Sequence, residues 1–447
     1  MSELLELATR IAGWARDGEQ VEVYAASGRE TEVVVYDGDV ESLSSAASAG
    51  VGIRVIRDQR QGFAYAGSLD EDVVGETLAE ARDNAAFGTP DEHLALATPD
   101  GVSAAELDLW RDDLAAFPTD RKVELAMELE RRVKAGDGRI KSIHSSEYGD
   151  GMVDVAIASS GGISAAYRRS SCYLSVYALA GDDTETQTGG GYSVGRGPTD
   201  LVVDEAAVDA IERATRMLGA RKPASARVPV VFDTRVTASL LSILAGTLSG
   251  EAVLKGRSLF ANRMGESVAA PMLVLTDDPT DPRAYGAAMY DAEGLACRRN
   301  RLISGGVLER FLYDTYSGRR AGVSSTASAV RAGFKSGPMV GARALALEPG
   351  ERSQDEIVAS IDDGLLVQSI SGVHSGVNPV SGDFSVGAEG LLIRGGALGE
   401  PVREITIAST LQRMLLDVFA VGNDIDWLPG SAAGVTLAVG DMSMSGA

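Results

Sequence analysis

Histidines, cysteines and closely spaced carboxylates are the side chains that could hold a metal or act as nucleophile and base. The sequence has three histidines and two cysteines. Zinc needs imidazole or thiolate donors at short, regular spacings. His93, His144 and His374 lie far apart, HExxH is absent, and no cysteine stands at zinc spacing from a histidine. His93 in a polar loop and His144 in a strand-like run read as structural or surface residues. His374, inside the glycine-flanked turn Gly372-Val-His-Ser-Gly376, has the strongest claim to function of the three. Cys172 and Cys297 form no CxxC pair and cannot build a disulfide framework, which points to a reducing compartment.

Other patterns fare no better as self-contained sites. Gly189-Gly-Gly-Tyr-Ser-Val-Gly-Arg-Gly197 lacks the Gly-Lys-Ser/Thr ending of a phosphate cradle and reads as a mobile loop. No Gly-x-Ser-x-Gly elbow stands between a strand and a helix. Asp291 and Glu293 invite a paired-carboxylate reading, but with no further acid–base partner or metal ligand nearby they read as a solvated turn.

These residues must be positioned by elements of both kinds. Residues 3–16 carry a helical apolar stripe with Ser2 placed to cap it. Runs at 21–26 and 31–36 read as short strands, followed by the hairpin signal Asp37-Gly38. Runs at 51–56 and 62–66 form a second strand pair around Asp58-Gln59, and Ser68-Leu-Asp-Glu71 reads as a capping box opening a helix. Residues 88–118 are loop-like, and Thr119 caps the next helix. Strand-rich stretches at 139–146 and 152–180 follow, then a helix near 203–219 and a linker at 221–226. The second half opens with a strand at 228–232. A helix from Asp233 follows, its Val236, Leu240, Leu241, Leu244 and Leu248 at core-facing spacing. That helix runs into Leu248-Ser-Gly-Glu-Ala-Val-Leu-Lys-Gly256.

Composition bounds the class. At 447 residues, two domains are expected, and 45% apolar residues suffice for a sizeable interior. Aromatics at 5% beside 52 glycines suit a strand- and turn-rich α+β protein. A net charge of −23 repels polyphosphate and argues against direct nucleic-acid binding. The N-terminus lacks a basic and an apolar targeting region, and no stretch approaches the roughly 18–20 apolar residues that span a bilayer. The expectation is a cytoplasmic protein without membrane contact.

At Gly250 the sequence resembles the TldD/TldE (PmbA) family. Active TldD subunits carry an HExxxH zinc motif at the end of such a helix, usually as His-Glu-Ala-Val-Gly-His. Here the stretch is Gly250-Glu251-Ala252-Val253-Leu254-Lys255, which keeps the Glu-Ala-Val centre and loses both histidines. Glycine has no donor atom, and a lysine ammonium places positive charge where a dication would sit. Active members also use a cysteine near the C-terminus, whereas Gly422-Asn-Asp424 through Ser431-Ala-Ala-Gly434 has none. The resemblance extends through Gly50-Val-Gly-Ile-Arg-Val-Ile56, Gly62-Phe-Ala-Tyr65, Asp291-Ala-Glu-Gly294, the stretch 302–316 ending Tyr-Asp-Thr-Tyr, and Asn378-Pro-Val-Ser-Gly-Asp-Phe384 with Gly387-Ala-Glu-Gly390. It covers nearly the whole chain.

The resemblance implies an α+β architecture of two domains. Residues 1–222 would pack helices on antiparallel sheet. Residues 223–447 would form a curved, barrel-like, β-rich domain carrying the degenerate motif helix at its edge. It further implies a TldE-like, non-catalytic subunit with no zinc of its own. A TldD-like partner would supply zinc and the general base, and the heterodimer would degrade unfolded peptides; alone, the chain could form a homodimer. His374, Asn378, Ser381 and Asp383 are the candidate peptide contacts. The segment from Asn378 reads equally as a tight turn between core strands, where Pro379 sets φ and Gly382 permits φ > 0. The alternatives are a stand-alone modulator of DNA gyrase, and a divergent enzyme using His374, Cys297 or Glu251.

Overall fold

The structure, a computed structural model, describes residues 3–182 and 184–447, so the proposed Ser2 cap lies outside the described residues. The chain begins with α1 (Glu3–Ala12), β1 (Glu19–Tyr36), β2 (Asp39–Arg57), β3 (Arg60–Ala66) and α2 (Glu71–Phe87). The one-turn α3 (Asp112–Ala115), then α4 (Thr119–Gly136), β4 (Ile140–Ser159), β5 (Ser164–Gly181), β6 (Thr186–Gly195) and α5 (Val203–Thr215) follow. The strands form one six-stranded sheet in the order β3-β2-β1-β4-β5-β6.

The two short runs expected at 21–26 and 31–36 are a single strand. Residues 27–30 have weak β-propensity, but β1 pairs with β2 and β4 on both sides through them, and this pairing overrides the local preference. Asp37 and Gly38 turn the chain at φ 51° and 84°. At α2 the cap is Asp70, accepting from the amides of Asp72 and Val73, while Ser68 only accepts from the Asp70 amide. α4 starts at Thr119 with Pro118 in the cap position and no side-chain cap bond.

The glycine-rich segment expected to be a mobile loop is instead strand β6, paired along β5. The glycines are there because α5 lies directly on the strand. A β-carbon at Gly189 would fall 2.3 Å from the Ala214 nitrogen, and one at Gly191 would fall 1.8 Å from the Ala206 oxygen. Helices cover one face of the sheet: α1 and α2 bury Leu7, Ile11, Val74 and Leu78 against Val23 and Ile53, and α4 buries Leu129 and Val133 near Tyr148 and Leu174. On the other face Tyr24, Val155 and Ile157 pack against Leu295, Ala327 and Phe334 of the C-terminal part.

That part starts with β7 (Ala226–Phe232), α6 (Thr234–Thr247) and α7 (Gly250–Leu254). Asp233 caps α6 by accepting from the Val236 amide at 3.0 Å. A small sheet of β8 (Leu275–Asp277), β9 (Asn300–Ser304), β10 (Val307–Leu308) and β13 (Leu345–Leu347) is interrupted in sequence by α8 (Thr315–Ala321) and the ribbon β11 (Ala329–Val330) and β12 (Met339–Val340). Next come α9 (Gln354–Ala359), β14 (Asp363–Ser371), α10 (Val373–Gly376), β15 (Asp383–Arg394), β16 (Ala397–Thr410), α11 (Leu411–Leu416), β17 (Val418–Val421) and β18 (Leu437–Ser445). The sheet order β16-β15-β14-β7-β18-β17 closes through added pairing of β16 with β18, so the expected barrel is present and the fold is α+β. Leu240, Leu241 and Leu244 of α6 join Phe232, Leu365, Phe384 and Val439 in its core. No helix among the described residues is long and apolar enough to cross a membrane.

Candidate functional site

The motif residues sit on α7, a helix separate from α6. Ser249 caps it by accepting from the Ala252 amide at 3.2 Å. The Gly250 amide donates to the Leu312 carbonyl at 2.7 Å, which ties the start of α7 to the segment leading into α8. The Tyr313 ring fills the space a side chain at Gly250 would need, since a β-carbon there would lie 2.2 Å from its Cδ1 and Cε1 atoms. Glu251 and Lys255, 43% and 45% exposed, are paired with each other across one helical turn.

This donor set does not fit zinc. At Gly250, which the resemblance equates with the first ligand, an aromatic ring fills the space; at Lys255, equated with the last, stands an ammonium, and it engages the carboxylate between them. Among the described residues no group of three or more His, Cys, Asp or Glu side chains is placed to hold a metal ion. Near the C-terminus, where a third donor would come from, Asp424 accepts from the Thr436 amide at 2.9 Å and its hydroxyl at 2.6 Å, which fastens the chain rather than presenting a ligand.

His374 lies on α10, exposed, and its side chain makes no hydrogen bond among the described residues. Asn378, Ser381 and Asp383 are occupied with one another. Asn378 Oδ1 accepts from the amides of Val380 (2.9 Å) and Ser381 (3.1 Å), and the Ser381 hydroxyl donates to Asp383 Oδ2 at 2.7 Å. Gly382 has φ 84°, and a β-carbon there would strike the Gln412 side chain at 1.9 Å. These bonds are those of a self-contained turn. α10 and α7 both lean on the barrel core, through Val373 and Val253, but no hydrogen bond or ion pair joins them among the described residues.

His93 contributes its backbone carbonyl to Arg319 at 2.9 Å, and His144 is exposed on β4. Burial pushes the thiols of Cys172 and Cys297 up to about 12, which leaves both inert as nucleophiles near neutral pH.

Asp291 and Glu293 overturn the solvated-turn reading. They are 0% and 1% exposed. Gly294 at φ 81° makes the turn, while Asp291 accepts from the amides of Glu293 (2.9 Å), Leu295 (3.0 Å) and Ala329 (3.2 Å). The turn is driven under the N-terminal sheet, so both carboxyls face the junction rather than solvent. There Glu293 Oε1 meets Arg54 at 3.2 Å, Arg54 meets Glu22 at 2.6 Å, and Glu22 meets Arg331 at 2.6 Å. Burial works to raise the Glu22 carboxyl, but Arg54 and Arg331 outweigh it and hold the group below its usual range. Asp291 and Glu293 stay raised, burial being the largest cause; the Glu293 charge adds to it for Asp291, and Asp314 and Glu22 add to it for Glu293. Sequence reasoning passed over Glu22 and Arg331, and gave Arg54 and Tyr313 no role beyond the stretches that carry the resemblance. A signal existed for Arg54: a lone charge in the apolar run Gly52-Ile-Arg-Val-Ile56 of a buried strand.

Comparison with known proteins places this geometry. Residues 21–85, 112–218 and 225–446 match the models for domain 1, the central domain and the C-terminal domain of PmbA/TldA metallopeptidases. Metalloprotease PmbA of Escherichia coli O157:H7 is 27% identical over 95% of this chain and 92% of its own length. A Thermotoga maritima structure described provisionally as a modulator of a DNA gyrase superposes with TM-score 0.90 at 24% identity, over 98% of this chain and 99% of its own. TldE from Thermococcus kodakarensis superposes with TM-score 0.87 at 23% identity, over 96% and 97%.

Proposed function

The chain belongs to the PmbA/TldD metallopeptidase family, and from that premise we propose that it is the non-catalytic, TldE-like subunit of a two-chain zinc peptidase. One observation carries the reading: the Tyr313 ring stands in the place of a side chain at Gly250, and Lys255 pairs with Glu251. A TldD-like partner supplies the zinc and the general base, and this chain needs no cofactor of its own. Without that partner, a homodimer is the alternative assembly. Unfolded peptide is the substrate of the pair, held largely through main-chain bonds as an added strand. The exposed rim at His374, Asn378, Ser381 and Asp383 is the assigned peptide contact, with His374 the freest to bind. The division into 1–222 and 223–447 and a cytoplasmic location without membrane or nucleic-acid contact belong to the same proposal.

The test is the zinc content of the full chain after tag removal, together with cleavage of unfolded peptides by the chain alone and mixed with a TldD-like protein. Zinc far below one per chain and cleavage only in the mixture are expected. Near-stoichiometric zinc with chelator-sensitive cleavage by the chain alone would overturn the proposal. The likeness to the Thermotoga maritima structure keeps a second reading alive, a stand-alone gyrase modulator. Co-purification with gyrase in the absence of any TldD-like protein would favour it.

A further inference from the structure

We infer that Glu293 is a positioning residue through which the N-terminal sheet holds α7, the motif helix, in place. The path is continuous and almost wholly buried. Arg331 donates to Glu22 Oε1 and to the Ala292 carbonyl (3.2 Å), with its guanidinium 4.6 Å from the Tyr24 ring centre. Glu22 on β1 accepts from Arg54 on β2, and Arg54 also donates to Glu293 Oε1. The second oxygen of Glu293 accepts the backbone amide of Thr315, the first residue of α8, at 2.8 Å. Two residues earlier the Tyr313 ring lies on Gly250, and one before that the Leu312 carbonyl takes the Gly250 amide. Glu293 is therefore the one side chain in this path that bonds both the sheet's arginine and the segment bearing α7.

A carboxylate that bridges a guanidinium and a backbone amide fixes two elements in register with charge-assisted bonds. At 1% exposure, no water competes for either oxygen. The opposite side of the segment is held by Thr326, whose hydroxyl oxygen accepts the Tyr313 amide at 2.7 Å and whose own amide donates to the Tyr313 carbonyl at 3.0 Å. This second tether sets the alternative, that residues 312–315 stay in place without Glu293. The inference is independent of whether the chain works with a catalytic partner. Its consequence is that displacement of β1 or β2 is felt at α7.

Two substitutions cut the link differently. Glu293→Gln removes the negative charge that faces Arg54. Thr315→Pro leaves that charge in place, removes the amide donor and sets a ring carbon toward the Glu293 oxygen, at a first helical position that tolerates proline after an extended residue; Asp314 is extended at φ −85° and ψ −177°. Hydrogen–deuterium exchange of the full chain is the measurement. Each variant should speed exchange in Gly250–Leu254 and Thr315–Ala321 about 5- to 30-fold, the scale of one lost buried bond, while β14 and β15 stay unchanged. The double variant should exchange no faster than the quicker single one, since both break one link. Unchanged exchange at α7, an equal rise in the barrel strands, or fully additive effects would each overturn the inference. Arg54→Lys gives a third reading should Glu293→Gln fail to fold.

Discussion

Tyr313 and Gly250 share one volume: the ring lies where a β-carbon at Gly250 would have to be, at 2.2 Å from two of its carbons. Restoring histidine at that position therefore means displacing a ring packed against the barrel core. Gly250→His with Lys255→His should bind zinc well below one per chain and lower stability by about 1–3 kcal/mol, the usual cost of overpacking. Adding Tyr313→Ala should recover part of the stability and raise zinc uptake. Elemental analysis and thermal unfolding of the two variants decide this; full zinc loading with Tyr313 intact would contradict the packing argument.

Glu22 lies between Arg54 and Arg331, all three at 5% side-chain exposure or less. Removing one partner of a buried ion pair strands the others' charge, so Glu22→Gln should cost about 3–5 kcal/mol. The contrast is the pair Arg227–Asp441, 54% and 59% exposed, where Arg227→Ala should cost under about 1 kcal/mol. Denaturant midpoints of both variants give the comparison, and equal losses would show that burial does not set the strength of these pairs.

Asp277 is fully buried, and burial pushes its carboxyl up to about 6 against two backbone bonds from Arg343 and Ala344 that lower it. Its folded pKa lies above the ordinary 3.8, so the folded chain holds this proton more tightly than the unfolded chain does. The stability it contributes is fully present below the ordinary value and is lost as pH rises through about 6. Asp291 and Glu293, both raised, act in the same direction. Unfolding free energy should therefore fall as pH rises from about 4 to about 7 for this group. Asp277→Asn should flatten that fall. Chemical denaturation at pH steps across the window measures the slope, and an unchanged slope in the variant would remove Asp277 as its source.

Much of the fold was legible because its signals are local. Asp37-Gly38 turns the first hairpin, Asp233 caps α6, and the leucines at helical spacing face the barrel core. Of the candidate site, Gly250 and Lys255 were legible as residues that offer zinc no donor, and the fold sets a ring and an ion pair there. What stayed hidden depends on distant partners. Asp291 and Glu293 look like turn residues until the N-terminal sheet closes over them, and Arg54 and Glu293 are 239 positions apart. Tyr313 gives no local hint that its ring covers Gly250.

The glycines of β6 sharpen the same lesson into a last prediction. If residues 189–197 were a mobile loop, Gly191→Ala would be neutral or would stabilise by roughly 0.4–1 kcal/mol, by restricting the unfolded chain. In the strand, the added methyl would fall 1.8 Å from the Ala206 oxygen and 2.9 Å from the Ala210 nitrogen, both backbone atoms of α5. Backbone in a packed helix cannot step aside as a flexible side chain can, so α5 must lift from the sheet, taking Ala206 and Ala210 out of the core they share with Leu174 and Val176. The expected cost is about 1–3 kcal/mol. Gly67→Ala is the control, since nothing lies within 4 Å of a β-carbon there. Thermal unfolding should show Gly191→Ala clearly below the parent and Gly67→Ala at or slightly above it. A Gly191→Ala variant as stable as the Gly67→Ala control would mean that α5 does not rest on β6.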